Sequence, residues 1–196
     1  MSSAAEKFLE FQKTIPAHVK IVAVSKTKPV EDIFSVYETG HRAFGENKIQ
    51  ELSDKAISLP EDIEWHAIGH LQTNKVKYIA PFVHLIHAVD SLKLLKVIQK
   101  EALKNKRKIS CLFQVHIAEE QSKFGFSEDD LIRMLEGDEW KKLDQVNICG
   151  LMGMATFTDD KEKVKNEFRR LYSIFKRLKT NYFSSQDQFC EISMGM

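Results

Sequence analysis

The sequence contains little cysteine, and what it has excludes two kinds of site. Its three cysteines, Cys111, Cys149 and Cys190, stand in separate apolar, strand-like segments, and none belongs to a Cys-x-x-Cys pair. An odd number of isolated cysteines is neither a disulfide framework nor a zinc-binding pattern. We therefore expect three buried free thiols.

Two histidines that are close in the sequence do not form a metal motif either. His84 and His87 flank Leu85-Ile86, and residues three apart in a strand point to opposite faces. We therefore expect no metal site at this pair, and none elsewhere in the chain.

Long apolar stretches and an excess of one charge are also lacking. No segment approaches the roughly 18 apolar residues that cross a bilayer, and residues 1–20 have no apolar core of signal-peptide length after a basic start. The protein is therefore expected in the cytoplasm, without a membrane partner. The 29 basic and 28 acidic residues give a net charge of +1, which offers no electrostatic basis for nucleic-acid binding.

What the sequence does contain is a regular alternation of strand-like and helix-like segments. A chain of 196 residues that is 43% hydrophobic can bury one large core, so we predict a single domain over residues 1–196. Uninterrupted alternation of strand and helix predicts an α/β protein with a parallel sheet and right-handed crossovers. The predicted strands are 19–25, 41–46, 64–69, 84–90, 109–117, 146–152 and 188–194.

Several predicted helices have recognisable starts or faces. Pro29 suits a first helical position, Ser91 precedes a second helix, and Ser127 with Asp130 forms a capping pattern before a third. Segment 160–181 has the pattern of a long amphipathic helix, with its lysines and arginines on the polar face. Its apolar stripe comprises Val164, Phe168, Leu171, Ile174, Phe175 and Leu178.

Two architectures fit this alternation: an open doubly wound sheet and a barrel. No Gly-x-Gly-x-x-Gly follows the first strand, where an open dinucleotide-binding sheet usually carries it. We therefore predict a TIM-type (β/α)8 barrel. Such barrels have eight strands and about 200 to 250 residues, whereas seven strands are evident here. We interpret the eighth strand and its helix as missing at the C-terminal end.

The first predicted strand runs into a lysine. In parallel barrels the chemistry lies at the C-terminal ends of the strands, and alternation places Val22, Val24 and Lys26 on one face. If that face is inward, Lys26 lies in the barrel mouth, where partial desolvation lowers an amine's pKa and favours condensation with an aldehyde. A solvated rim lysine fits the same alternation. Lys28, before Pro29, is a rival that we expect at the rim.

The last predicted strand ends in a turn of small residues, Ser-Met-Gly-Met at 193–196. In barrels, phosphate often binds near the loops after strands seven and eight, where backbone N–H groups favour an anion. Ser193 and Gly195 suit that task. A turn with glycine is a weak signal alone, but together with Lys26 it suggests a phosphorylated aldehyde as ligand.

Seven motifs in consistent order and spacing resemble the pyridoxal phosphate homeostasis protein family, a group of alanine-racemase-like barrels. The resemblance implies a fold like the N-terminal barrel of alanine racemase, and pyridoxal 5′-phosphate (PLP) held as an aldimine on Lys26. It also implies that Asn47 and His66 lie near the ring of the cofactor and Ser193 and Gly195 on its phosphate side. The motifs are VAVSKTKP, HRAFGENKIQEL, WHAIGHLQTNKVKYI, IHAVDS, SKFGF, GLMGMATFTDD and ISMGM.

Two of the implied contacts have other interpretations, and the chain departs from the family in two places. Asn47 could cap the following helix, and His66 could be a half-buried strand histidine with its hydrogen bonds satisfied inside the fold. At His70 many relatives carry proline. After Met196 the family continues with a serine, a helix and an eighth strand, which ends in an Arg-Ile-Gly turn that helps to hold the phosphate.

The resemblance implies a PLP-binding protein of intracellular PLP homeostasis, which buffers the cofactor and hands it to PLP-dependent apo-enzymes, and not a dedicated enzyme. An amino-acid racemase is one alternative, but its second base is commonly a tyrosine, and the tyrosines here fall in or beside helical segments. An aldolase-like barrel with a Schiff-base lysine is another alternative. Without a dimerising domain we expect a monomer. The tyrosines are Tyr37, Tyr78, Tyr172 and Tyr182.

Overall fold

Seven parallel strands form one sheet in the computed structural model, which describes residues 3–118 and 124–195. The spatial order of the strands is their order in the sequence, and every neighbouring pair is parallel. This arrangement confirms the predicted barrel-type α/β fold and its seven strands. They are β1 (Ala23–Val24), β2 (Ala43–Glu46), β3 (Glu64–Ala67), β4 (Leu85–Val89), β5 (Ile109–Gln114), β6 (Val146–Met154) and β7 (Glu191–Gly195).

One helix precedes β1, and helices connect the successive strands. Ser91 Oγ accepts a hydrogen bond from Leu94 N, and Ser127 Oγ accepts one from Asp130 N, so both predicted caps are confirmed. Pro29 lies one residue before its helix, at the cap position. The helices are α1 (Ala4–Gln12), α2 (Val30–Tyr37), α3 (Ile49–Ser58), α4 (Val76–Ile79), α5 (Leu92–Lys104), α6 (Glu128–Glu136) and α7 (Lys161–Asn181), with short 3-10 turns at Thr73–Lys75 and Trp140–Lys142.

The main hydrophobic core lies between the helices and one face of the sheet, which we call the outer face. Phe44 of β2 and Trp65 of β3 are paired in register and almost completely buried in this core. Helix α7 contributes Leu171, Ile174 and Leu178, all buried. The predicted apolar stripe of this helix is therefore confirmed, because its 3.6-residue period places those side chains against the sheet.

The opposite, inner face of the sheet is open at one side. Gly45 of β2 leaves room for side chains of its neighbours, since a Cβ atom there would lie 3.0 Å from both Val22 and Ile68. Strands β1 and β7 are the two edges of the sheet. Val24 is 50% exposed because β1 has a neighbour on one side only in the part of the chain that the structure describes.

The cysteines differ from the expectation of three buried thiols. All three are free, but only Cys111 is buried, whereas Cys149 is half-buried and Cys190 is exposed. Cys190 precedes β7, the edge strand, and so lacks a covering neighbour on one side. Among the described residues, no helix is both long and apolar enough to span a bilayer.

A glycine is required where β6 approaches β7. Gly150 has a φ of +153°, and a Cβ atom at this position would lie 1.8 Å from Glu191 O. The pairing of β5 with β6 also shifts register here. The close approach of two backbones therefore fixes this residue as glycine.

We predict that Gly150→Ala destabilises the protein by about 3 kcal/mol or more, because it combines a strained φ with a backbone clash. Gly137→Ala is the matched control. Gly137 ends α6 at a φ of −76°, and its Cβ would meet nothing closer than Met134 O at 3.4 Å. Urea unfolding measures both; equal effects of the two substitutions would contradict the prediction.

Candidate functional site

Lys26 lies in a tight turn directly after β1. Lys26 and Thr27 are its central residues, and Lys28 N donates to Ser25 O at 3.0 Å to close it. Because β1 ends at Val24, the alternation of side chains between the two faces of the strand does not extend to Lys26 as we predicted. The expected partial burial is also not found: Lys26 is exposed, because the turn stands at the open edge of the sheet.

The turn adopts an unusual backbone conformation that a carboxylate stabilises. Thr27 has a φ of +62°, which is uncommon for a β-branched residue and costs of the order of 1–3 kcal/mol. Its N–H group donates to Glu51 Oε1 at 2.7 Å. Glu51, in the first turn of α3, thus holds the backbone one residue beyond Lys26.

A buried lysine holds the residue on the other side of Lys26. Lys55 Nζ donates to Ser25 O at 2.8 Å, and to Glu46 Oε1 and Glu51 Oε1, both at 2.7 Å. Ser25 Oγ donates to the same Glu46 oxygen at 2.7 Å. We call Ser25, Glu46, Glu51 and Lys55 the anchoring network. It fixes the backbone of Ser25 and Thr27, between which Lys26 stands.

The anchoring network is a buried arrangement of charges. The Lys55 side chain is 8% exposed and the Glu46 side chain 0%. Burial lowers the pKa of Lys55, but hydrogen bonds to Glu46 and Glu51 outweigh it, so the pKa is raised. The hydrogen bond from Lys55 likewise lowers the pKa of Glu51. We did not predict this network from the sequence, although Glu51 and Lys55 have the i,i+4 spacing of helical ion pairs.

Asn47 follows β2 at the same end of the sheet as Lys26. A Cβ atom on Gly69, which follows β3, would lie 2.4 Å from Asn47 O, so a glycine lets the two strand ends come together. The alternative role of Asn47 as a helix cap is wrong, because Lys48 occupies the cap position of α3. In the described chain, no hydrogen bond engages the half-buried Asn47 side chain.

Side chains from the neighbouring strands β3 and β4 and from the edge strand β7 form a hydrogen-bonded series across the inner face. His66 Nδ1 of β3 lies 2.8 Å from His87 Nε2 of β4, and His87 Nδ1 lies 2.8 Å from Ser193 Oγ of β7. His66 is 2% exposed, and its Nε2 has no hydrogen-bond partner among the described residues. Therefore only one of the two ring nitrogens of His66 is hydrogen-bonded within the described fold, and its partner is His87.

The imidazoles of His66 and His87 are both neutral. Burial is the main cause that lowers the pKa of His66 to about 2, and the nearby His87 lowers it further. Burial also lowers the pKa of His87 to about 4. Each neutral imidazole carries one N–H group, so the proton positions are linked. When Ser193 accepts from His87 Nδ1, His87 Nε2 must accept from His66 Nδ1. His66 Nε2 is then unprotonated and keeps its lone pair.

The two predicted residues of β7 differ in their surroundings. Ser193 Oγ is engaged by His87. Among the described residues, a Cβ atom on Gly195 would have only Met154 Cγ within reach, at 3.9 Å, so the described part of this strand end leaves room for a further group. Met196, the last residue of the predicted turn, lies outside the described residues.

The prediction that His84 and His87 point to opposite faces is wrong, because both rings lie beside His66. Their centroids are 5.3 Å and 5.1 Å from the centroid of His66. His84 precedes β4, so strand alternation does not separate it from His87. One donor atom each of Glu64, His66 and His84 also lies within 4.8 Å of the others, which is a possible set of metal ligands.

His70, which follows β3, forms two contacts at this end of the sheet. Its Nδ1 lies 3.3 Å from Asp90 Oδ2, beyond the end of β4. Its ring stacks on Phe124 with centroids 3.7 Å apart. These contacts join the loops that follow β3, β4 and β5 on the side of the sheet where Lys26 and Asn47 lie.

Comparison with known proteins places this geometry in a family. Residues 2–191 match the alanine racemase N-terminal domain family. The chain is 34% identical to the pyridoxal phosphate homeostasis protein of Pasteurella multocida over 181 residues, which cover 91% of this chain and 76% of that protein. It is 36% identical to that of Aquifex aeolicus over 178 residues, 90% of this chain and 76% of that one. The chain belongs to the pyridoxal phosphate homeostasis protein family.

Solved structures agree with this family assignment. PipY of Synechococcus elongatus without PLP superposes with a TM-score of 0.91 at 31% identity, over 99% of this chain and 89% of that one. The same protein with PLP bound superposes with a TM-score of 0.86 at 30% identity, with the same coverage. Alanine racemase of Bartonella henselae, at 14% identity, has a TM-score of 0.65 over 88% of this chain and 49% of that one, a likeness of fold alone.

We predict that Lys55→Met costs roughly 3–5 kcal/mol of stability, because it leaves Glu46 buried without a counter-charge. Lys165→Met is the control. Lys165 pairs with Glu162 at 2.7 Å, but both side chains are more than half exposed, and such pairs contribute less than about 1 kcal/mol. Chemical unfolding compares the two variants; a cost of under about 1 kcal/mol for Lys55→Met would contradict the importance of the network.

The buried histidines predict a pH dependence of stability. The unfolded chain protonates each imidazole near its ordinary pKa of about 6.5, whereas the folded protein does so only near pH 4 for His87. The unfolding free energy therefore has its full value above about pH 6.5. Below that pH it falls, with a slope that approaches about 1.4 kcal/mol per pH unit for each of the two histidines.

Urea unfolding in metal-free buffer at pH 7, 6 and 5 tests this dependence. We expect His87→Gln to have a shallower pH dependence than the unmodified chain. His18→Gln, which changes an exposed histidine, should leave the dependence unaltered. Stability that stays constant from pH 7 to 5 would contradict the prediction.

Proposed function

We propose that this protein binds PLP covalently through Lys26, and that it holds and delivers this cofactor instead of catalysing a dedicated reaction with it. The observation that supports this most is the position of Lys26, an exposed amine whose flanking residues are fixed by the anchoring network. Its membership of the pyridoxal phosphate homeostasis protein family supports the same function.

The residues at this end of the sheet fit the cofactor chemically. PLP supplies an aldehyde for a primary amine and a phosphate for hydrogen-bond donors. Lys26 would provide the amine, and the Ser193 hydroxyl would donate to the phosphate when Ser193 accepts from His87. The open space at Gly195 would accommodate the phosphate, and the free amide of Asn47 would bind beside the ring. That His66 contacts the ring stays a prediction; its hydrogen bond to His87 supports a role through Ser193.

The location of the tyrosines favours a carrier over a racemase. Tyr37, the last residue of α2, donates to Asp62, and Tyr182 is the C-terminal cap residue of α7. Tyr78 and Tyr172 are about half exposed on α4 and α7. In the described chain, therefore, no tyrosine follows a strand where it could act as a second base on the face opposite Lys26.

We also propose with which partners, in which compartment and in what oligomeric state the protein acts. Delivery requires a recipient, and PLP-dependent apo-enzymes are the class that uses this cofactor. We propose that the protein meets them in the cytoplasm and acts as a monomer. Light scattering of the purified chain measures its mass, and a stable dimer would contradict this last part of the proposal.

Lys26→Ala tests the covalent site, with Lys28→Ala as the matched control two residues away. Addition of PLP should give the unmodified chain a visible absorbance band, and borohydride reduction should leave the adduct on the peptide that contains Lys26. Lys26→Ala should abolish the adduct without changing the unfolding free energy by more than about 0.5 kcal/mol, because Lys26 is exposed.

The outcomes of this experiment separate the alternatives. Lys28→Ala should retain both the band and the adduct on Lys26. Retention of the adduct in Lys26→Ala, or its loss in Lys28→Ala alone, would contradict the assignment of Lys26. A chain that gives no visible band with PLP but forms a borohydride-trapped adduct with a sugar phosphate would instead be the aldolase-like barrel.

A further inference from the structure

A second group of functional side chains extends from His66 toward the end of the sheet opposite Lys26. Glu64 begins β3, His66 is two residues further along that strand, and His84 immediately precedes β4. Glu64 and His84 therefore stand at the N-terminal ends of β3 and β4, whereas Lys26 follows the C-terminal end of β1. His66 lies between these levels, in register with Gly45 of β2. The proposed function uses neither Glu64 nor His84.

We propose that Glu64, His66 and His84 bind one divalent transition-metal ion, with zinc as the best fit. Two imidazole nitrogens and one carboxylate oxygen are the donor types that zinc takes in three-ligand sites. The two imidazole donors favour zinc, nickel or copper(II) over magnesium and calcium, which prefer oxygen ligands. The fourth position would be open to water.

The distances between the donors are close to those of a metal site. One donor atom of each residue lies within 4.8 Å of the other two, and His84 Nε2 is 3.9 Å from Glu64 Oε2. Zinc at about 2.0–2.1 Å from nitrogen and oxygen donors holds them about 3.3 Å apart. His84 and Glu64 are 46% and 35% exposed, so rotation of their side chains can close the difference while His66 stays in place.

His66 is already arranged as a metal ligand. Its Nε2 is buried without a hydrogen-bond partner among the described residues, an arrangement that is costly unless a ligand uses the lone pair. Its Nδ1 lies 2.8 Å from His87 Nε2. Histidine ligands usually donate their other N–H to a nearby acceptor, which fixes the tautomer. Here His87 is that acceptor, and Ser193 in turn accepts from His87.

The competing charge at the site is Lys20. Its Nζ lies 2.6 Å from Glu64 Oε2, and its side chain is 54% exposed. A metal ion would have to displace this ammonium, which can move into solvent. Two of the three ligands can be reached from solvent, since the side chains of His84 and Glu64 are 46% and 35% exposed. Removing Lys20 should therefore strengthen metal binding, whereas removing a ligand should weaken it.

Zinc binding by cofactor-free protein tests the proposal independently of PLP. After dialysis against EDTA, the protein is titrated with zinc in competition with a chromophoric chelator, and bound zinc is counted by elemental analysis. We expect one equivalent, at least tenfold weaker binding for His84→Ala and for Glu64→Gln, and tighter binding for Lys20→Ala. Cobalt(II) should give the visible absorption bands of a tetrahedral site, and these should be lost in His84→Ala.

His18→Ala is the control, because His18 is exposed and belongs to no cluster of ligands among the described residues. It should bind zinc as the unmodified chain does. Unchanged affinity in His84→Ala, or equal weakening in His18→Ala, would overturn the assignment. Circular dichroism and urea midpoints confirm that each variant is folded, which is expected since His84, Lys20 and His18 are all exposed at the surface.

Discussion

The buried ammonium of Lys55 is the interaction on which the proposed cofactor site depends. It joins helix α3 to the end of β1 through Ser25 O, and it neutralises Glu46, which would otherwise be a buried charge. Glu51, held by the same ammonium, stabilises the positive φ of Thr27. An exposed lysine side chain is mobile by itself; here the backbone on both sides of Lys26 is fixed, which reduces the ordering needed when a ligand binds.

The inner face of the sheet connects this end of the molecule to the other. His66, His87 and Ser193 form a continuous hydrogen-bonded chain, and neutrality of both imidazoles makes its proton positions interdependent. A metal ion on His66 Nε2 would select the tautomer in which Ser193 accepts from His87. The Ser193 hydroxyl would then be free to donate to an anion, so the two proposed sites have a physical route by which each can affect the other.

The sequence predicts those features that arise from local periodicity. All seven strands, the caps at Ser91 and Ser127 and the apolar stripe of α7 follow from spacing and from side-chain chemistry. The histidine chain does not, because Ser193 is 106 positions from His87 and the sheet alone brings them together. The exposure of Lys26 depends likewise on the turn at Thr27 and on the open edge at β1, which alternation within one strand cannot indicate.

A crystal structure of the protein loaded with PLP would show whether Lys26 holds the cofactor. We predict electron density that is continuous from Lys26 Nζ into the cofactor, with the phosphate beside Ser193 and Gly195. We also predict that Lys55 still donates to Ser25 O and that Thr27 N still donates to Glu51. Density attached to another lysine, or a Lys26 adduct with the anchoring network broken, would contradict these predictions.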